Sequence, residues 1–364
     1  MRSLEQEPCV VIMAGGAGTR FWPLSTELSP KQFLRPDGEE SLLQQSYSRA
    51  DALTSADRIL VLTSEHLADR VAAELPEIPR ENIIAEPMRR DTAAAVALGA
   101  LVCRERFGQV VMVVVTADHV ISPLADFVEV MKSGARHAAE SGALYTVGIR
   151  PDRAATEYGY LRRGDSVATE DRLEHFRVDS FHEKPDAEMA SEYMEQGGYF
   201  WNSGMFIWKI ESILREYQRQ LPGHLAVLAP AVTEFEEGGS PALQRAFSEL
   251  PSISIDHGVM EGARDVRMVP ASFSWNDLGT WEALAGFLGE DEHGNRYRGH
   301  LGASGARENI VYVEDEGETV ALVGVQGLVV VRAGARTLIM DRDRADELKD
   351  FVQRLGKSGR EESR

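Results

Sequence analysis

From Cys9 to Ile149 the chain alternates two textures. Apolar runs without polar alternation, "CVVIMAG", "RILVLTS", "NIIAEP", "VVMVVVTADH" and "ALYTVGI", take turns with segments of helical apolar spacing such as "SLLQQSYSRADAL", "EHLADRVAAEL" and "FVEVMKSGARHAAES". Strands buried on both faces and each followed by a helix predict an α/β fold, doubly wound around a mainly parallel sheet. After Pro151 the order loosens. "EYGYLRRG" and "RVDSFHEKP" read as hairpin strands, "AEMASEYMEQGG" as a helix and "YFWNSGMFIWKI" as a further strand, followed by helices between Leu214 and Met260. Beyond Gly289, short runs such as "NIVYVED", "TVALVG", "GLVVVRAG" and "RTLIMD" recur at nearly even spacing and lead into a helical "RADELKDFVQRLG". This predicts one large α/β domain over residues 1–289. A small β-rich module, β-helix-like and ending in a helix, is expected over 290–364.

Composition narrows the function. The 364 residues are 43% hydrophobic and 27% charged, an ordinary globular balance, and no membrane-spanning apolar run is present. The start, "MRSLEQEPC", has no signal-peptide architecture, so a cytoplasmic protein is expected. The formal net charge of −19 opposes binding to nucleic acid, so any bound phosphate must be held by a local group of donors. Cys9 and Cys103 are expected to be two buried thiols.

The stretch "VVIMAGGAGTRFWPLSTELSPKQF" supplies such donors. It follows an apolar strand, where doubly wound folds bind ligands. No Gly-Lys pair follows Gly15 or Gly16, so it is not a P-loop. The third glycine of a dinucleotide fingerprint would fall on Phe21, which disfavours an NAD-dependent oxidoreductase. What remains is a bare backbone able to approach a phosphate, with Arg20 and Lys31 close by in sequence as fixed cations. The wording "GGAGTRFWPLS" with "SPKQF" resembles the sugar nucleotidyltransferases, and the mannose-1-phosphate guanylyltransferases in particular. "EPMRRDTAAA", "TADH", "YGY", "FHEKP", "WNSGMF", "SIDHGVME" and "WNDLGTW" follow in that family's order.

The resemblance implies GMP transfer from GTP to mannose 1-phosphate, giving GDP-mannose and pyrophosphate. The attacking phosphate oxygen is already anionic, so positioning and charge neutralisation replace a general base. Mg2+ is the implied cofactor, with Asp118 and Asp277 as ligands. Arg20 and Lys31 would hold the triphosphate and Lys184 the sugar phosphate. Gly15, Gly16, Gly18 and Thr19 would line the nucleotide. Glu86, with Asp91 near it, would read guanine, because a carboxylate can accept from both N1–H and the N2 amine. Gly159, Glu183 and Asn202 would bind mannose. Trp201, Phe206 and Trp208 are expected mainly in the core, and His119 in a supporting role. A homodimer is what the resemblance implies about assembly.

The chain departs from the family wording at Thr116, Asp91, Ala94, His257, Gly258 and Gly262. Asp91 adds a negative charge and Gly262 removes a cation. Two alternatives follow: a nucleotidyltransferase using another nucleoside triphosphate or hexose 1-phosphate, or a catalytically silent nucleotide-sugar-binding regulator. A fused phosphomannose isomerase domain is not expected after Gly289.

Overall fold

The computed structural model describes residues 7–16, 19–238, 241–315 and 317–357. The chain folds into two compact units, one comprising residues 1–15, 46–117 and 121–275, the other residues 16–45, 118–120 and 276–364.

The strands of the first unit are β1 (Cys9–Ala14), β2 (Ile59–Ser64), β3 (Ile83–Glu86), β4 (Val111–Thr116), β5 (Val120–Ser122), β6 (Leu144–Ile149), β7 (Tyr160–Val167), β8 (His175–His182), β9 (Tyr199–Lys209), β10 (Val266–Pro270) and β11 (Ser274–Asn276). Its large sheet has nine strands in the order β3-β2-β1-β4-β9-β6-β10-β8-β7. β1, β2, β3 and β4 pair in parallel, as do β6 and β10, while β9 runs antiparallel between β4 and β6. The strand interiors are apolar on both faces because helices cover them.

Those helices are α1 (Leu42–Asp51), α2 (Ala68–Glu74), α3 (Asp91–Phe107), α4 (Leu124–Ser141), α5 (Ala187–Gln196), α6 (Ile210–Gln220), α7 (Pro222–Glu236) and α8 (Pro241–Glu249). α3 is buried continuously from Ala93 to Cys103, as its alanine-rich sequence requires. A Cβ at Gly99 would stand 3.3 Å from both Leu62 Cδ1 and Val11 Cγ1, so this helix rests almost directly on the sheet. The same closeness brings Cys9 and Cys103 together. They are joined as a disulfide, with Cα atoms 6.7 Å apart, which corrects the expectation of two separate thiols. α4 is amphipathic, burying Phe127, Val130, Met131, Ser133, Gly134 and Ala138, and Gly142 ends it in the left-handed conformation. No described helix is long and apolar enough to cross a membrane.

The second unit holds β12 (Gly289–Glu290), β13 (Arg296–Arg298), β14 (His300–Ser304), β15 (Ile310–Val313), β16 (Thr319–Val323), β17 (Leu328–Ala333) and β18 (Arg336–Asp341), with α9 (Trp281–Ala285) and α10 (Leu348–Lys357). Parallel pairing of β13 with β15 and β15 with β17, and of β14 with β16, stacks successive coils as in a β-helix. Buried Asn295 and Asn309 tie the coils at their turns. Asn309 donates to Asn295 Oδ1 at 2.8 Å and accepts from the Leu328 amide at 2.9 Å. The segment after β1 belongs to this unit: Phe21 meets Trp281 edge-on at 5.1 Å, and Arg298 donates to the Arg35 carbonyl at 2.9 Å. Burial of Phe21, Leu24, Leu34 and Leu42 with Leu278, Trp281 and Tyr312 accounts for that placement.

Candidate active site

Within the second unit, Lys31, Asp118 and Asp277 come together. Lys31 opens a short turn whose next residues, Gln32 and Phe33, are buried, and this anchors its backbone. Its ammonium donates to Asp118 Oδ2 at 2.8 Å and to the Asp277 carbonyl. One cation is thus shared by two segments that follow strands distant in sequence. Asp277 sits in a turn made by its own side chain and that of Asn276, which accept from the Gly279 and Leu278 amides at 3.1 and 2.7 Å. A Cβ at Gly279 would lie 2.8 Å from Asp277 Oδ2, so a side chain there would press on the Asp277 carboxylate. Burial would raise the Asp118 carboxyl. The charges of Lys31 and His119 and the Lys31 hydrogen bond outweigh it, holding that carboxyl below its ordinary range. His119 Nε2 stands 3.7 Å from Asp118 Oδ1, a supporting position.

Ionised carboxylate and carbonyl oxygens around one cation are the donor chemistry of Mg2+, so this set fits a hard dication. Arg20 is exposed on the turn Thr19–Phe21, whose Phe21 is buried beneath it. Gly16 is exposed, and a Cβ on it would meet nothing within 4 Å. The glycine therefore leaves open space above the backbone and relieves no internal clash. Gly18 and the side chain of Thr19 lie outside the described residues.

Within the first unit, Gly159, Glu183, Lys184 and Asn202 form another group. The Asn202 amide donates to the Gly159 carbonyl at 2.8 Å. A Cβ at Gly159 would come within 2.6 Å of Glu183 Oε2, so any side chain there would displace the carboxylate from its present position. Lys184 pairs with Glu183 at 2.8 Å and has a positive φ of 46°. The Asn202 side chain accepts from Thr146 Oγ1 at 2.9 Å and donates to Asp256 Oδ1 at 3.0 Å. Asp256 is a residue the sequence reading did not select, although it lies inside the quoted "SIDHGVME". Burial, and then the charge of Glu183, push it up to about 7. Tyr158 contacts Trp201 and Trp275 edge-on at 4.9 and 5.3 Å, and Arg153 lies over both Tyr158 and Trp201. Trp201, Phe206 and Trp208 are buried, as expected.

Glu86 ends β3, where burial alone pushes its carboxyl up to about 7. A Cβ on Gly15 would stand 3.9 Å from Glu86 Oε2, so these two residues are neighbours. Asp91 starts α3 with a φ of 63° and accepts from the Thr92 amide at 2.7 Å. Thr92 in turn accepts from the Ile255 amide at 2.8 Å, which ties the start of α3 to the segment bearing Asp256. Asp91 and Arg20 are exposed, and among the described residues no hydrogen bond or ion pair shown joins either to these two groups.

The nucleotidyl transferase family model matches residues 9–292. A second, the MannoseP isomerase/GMP-like beta-helix domain, matches residues 305–355. A mannose-1-phosphate guanylyltransferase of Klebsiella pneumoniae is 36% identical over 356 residues, spanning 97% of this chain and 74% of that protein. The chain belongs to the mannose-1-phosphate guanylyltransferase family of nucleotidyl transferases. Xanthan biosynthesis protein XanB of Xanthomonas campestris pv. campestris (strain B100) is 35% identical over 361 residues, with 97% of this chain and 74% of that protein covered. A solved structure described as mannose-1-phosphate geranyltransferase from Thermus thermophilus has a TM-score of 0.83 at 34% identity, covering 96% of this chain and 99% of that one.

The positions at which this guanylyltransferase-family chain departs from the usual wording have defined surroundings. The Thr116 hydroxyl is buried with no hydrogen-bond partner among the described residues, and Ala94 is fully buried in α3. His257 pairs with Glu261 at 3.1 Å on an exposed surface. The Gly262 carbonyl accepts from Arg219, so a cation stands beside the position that lacks the family's lysine.

Proposed function

We infer that the protein is an enzyme that transfers GMP from GTP to mannose 1-phosphate, forming GDP-mannose and pyrophosphate. The observation that carries this reading is the Lys31 ammonium shared by the Asp118 carboxylate and the Asp277 carbonyl, on a chain of this family. Asp118, kept ionised, and Asp277 would hold Mg2+, which when bound supplies a Lewis acid for phosphate charge. Lys31 and Arg20 neutralise the triphosphate and the departing pyrophosphate. Gly15, Gly16, Gly18 and Thr19 give the nucleotide phosphates access to the backbone. Glu86 accepts from guanine, with Asp91 at the rim.

Glu183, Asn202 and the Gly159 backbone orient mannose, Asp256 supports them through Asn202, and Lys184 holds the sugar phosphate. That phosphate is ionised at neutral pH and attacks the nucleotide α-phosphorus opposite the pyrophosphate. No side chain need remove a proton, and the residues act through orientation and charge. All of these residues fall within 1–289, which we assign as the catalytic domain, leaving 290–364 as a β-rich accessory module. We assign a cytoplasmic homodimer acting on small molecules and not on nucleic acid; light scattering checks the assembly.

The test is pyrophosphate release with Mg2+, crossing GTP, ATP, UTP and dTTP with mannose 1-phosphate and glucose 1-phosphate, with Asp277→Asn as control. Release with GTP and mannose 1-phosphate that is lost in the variant is expected. Release with a different pair would reassign Glu86 or the mannose group, and silence with every pair would favour a nucleotide-sugar-binding regulator.

A further inference from the structure

Away from every residue assigned above, four side chains of the first unit converge on one spot. Ser133 and His137 are one helical turn apart on α4. Asp171 lies in the loop between β7 and β8, and His175 begins β8. His137 Nε2 is 3.1 Å from Asp171 Oδ2, and His175 Nε2 is 3.7 Å from Asp171 Oδ1. One ligand atom from each of His137, Asp171 and His175 lies within 4.8 Å of the others. Ser133 Oγ stands 2.8 Å from His175 Nε2 and donates to Asp171.

Zinc bound tetrahedrally at about 2.0–2.1 Å separates its ligand atoms by roughly 3.3 Å; His137 Nε2 stands near that distance from one Asp171 oxygen, at 3.1 Å, and His175 Nε2 is 3.7 Å from the other, so ligation needs only small side-chain shifts. His175 is fully buried, and the His137 and Asp171 side chains are 12% and 15% exposed, less than is usual for a surface ion pair. Ser133 gives its one proton to Asp171, so His175 Nε2 donates to Ser133 Oγ, and a metal would take the place of that proton. Glu140 Oε2 stands 3.4 Å from His137 Nδ1, the arrangement in which a carboxylate orients a metal-binding imidazole. Arg136, 3.7 Å from Asp171, is the competing cation, but it is half exposed and can turn to solvent.

We propose that His137, Asp171 and His175, with Ser133 alongside, bind a zinc-type divalent ion that clips the β7–β8 loop to α4. Two imidazoles and one carboxylate select a borderline-soft transition metal over Mg2+, which prefers an all-oxygen shell. The role is structural. No open coordination path to a substrate is required, and β8 leads at its far end into Glu183 and Lys184.

The test uses the full-length protein, stripped with chelator and dialysed into millimolar Mg2+ so that hard-oxygen sites are filled. It is titrated with Zn2+ by calorimetry and with Co2+ by visible absorption. One Zn2+ per chain is expected, with a Co2+ spectrum showing intense four-coordinate bands with nitrogen ligation. Affinity should fall at least 100-fold in His137→Gln and in Asp171→Asn and stay unchanged in Asp277→Asn. Zn2+ should also raise the melting temperature of the native protein and not that of the two variants. These variants sit at the less buried ligands, and circular dichroism confirms their fold. Should either fail to fold, the Co2+ spectrum of the native chain decides by itself. No uptake by the native protein, six-coordinate all-oxygen Co2+ bands, or binding that survives both substitutions would overturn the site. None of these readouts depends on turnover, so failure here is separate from failure of the guanylyltransferase reading.

Discussion

Replacing Glu86 by Gln tests the energetics and the base recognition of the nucleotide side at once. Burial pushes this carboxyl from 4.5 up to about 7. The folded state therefore binds its proton more tightly than the unfolded chain does. That contribution to stability is complete below about pH 4.5 and is lost as pH rises through about 7. At about 1.4 kcal/mol per pKa unit the whole effect is about 3 kcal/mol, of which about 1 has been lost by about pH 5.5. Glutamine cannot ionise. In equilibrium urea unfolding, Glu86→Gln should therefore gain about 2 kcal/mol on the native protein between about pH 5.5 and 8.5.

Guanine prefers the ionised carboxylate, whose oxygens accept both of its donors. GTP affinity of the native protein should then rise with pH across the same window and be flat in the variant. Glutamine offers one acceptor beside an unwanted donor, so kcat/KM for GTP should fall about 10–100-fold. A stability difference that stays constant with pH would refute the burial argument, and an unchanged GTP preference would refute the contact with guanine.

Lys31→Ala should lower kcat by about 100-fold or more while changing stability by no more than about 1 kcal/mol, since its partner Asp118 is partly exposed; kinetics and urea midpoints separate the two. Gly159→Ala forces Glu183 aside and should raise KM for mannose 1-phosphate about 10-fold, with KM for GTP unchanged in initial-rate assays. For Asp256→Asn, which cannot ionise, the dependence of mannose 1-phosphate affinity on pH near 7 should disappear, as read by calorimetry across that range. Asn309→Ala strands the Leu328 amide and removes one of the two hydrogen bonds to Asn295 Oδ1, the Asn309 backbone amide keeping the other, so it should cost about 1–3 kcal/mol in unfolding experiments with little direct effect on kcat.

Local pattern alone was sufficient for the strand–helix alternation and the β-rich tail. Runs such as "CVVIMA" and "VMVVVT" can be satisfied only in a sheet covered on both faces. The candidate site residues came instead from the likeness of short motifs to the family. Asp256 could have been found in the same way, since it stands within a motif already quoted; what it lacked was any sequence sign of its burial beside Glu183. The tertiary structure alone decided who meets whom. Lys31 finds Asp118 and Asp277 across separations of 87 and 246 residues, and Cys9 finds Cys103 because α3 lies flat on β1. Placement of residues 16–45 with the tail follows from Phe21 and Leu34 needing apolar cover that Trp281 and its neighbours supply.

The raised carboxyls of Glu86 and Asp256, and the meeting of His137, Asp171 and His175, share one cause. Each depends on desolvation and on distances set by packing between elements far apart in the chain. Periodicity reports which face of an element is buried; it carries no information about the partner that buries it.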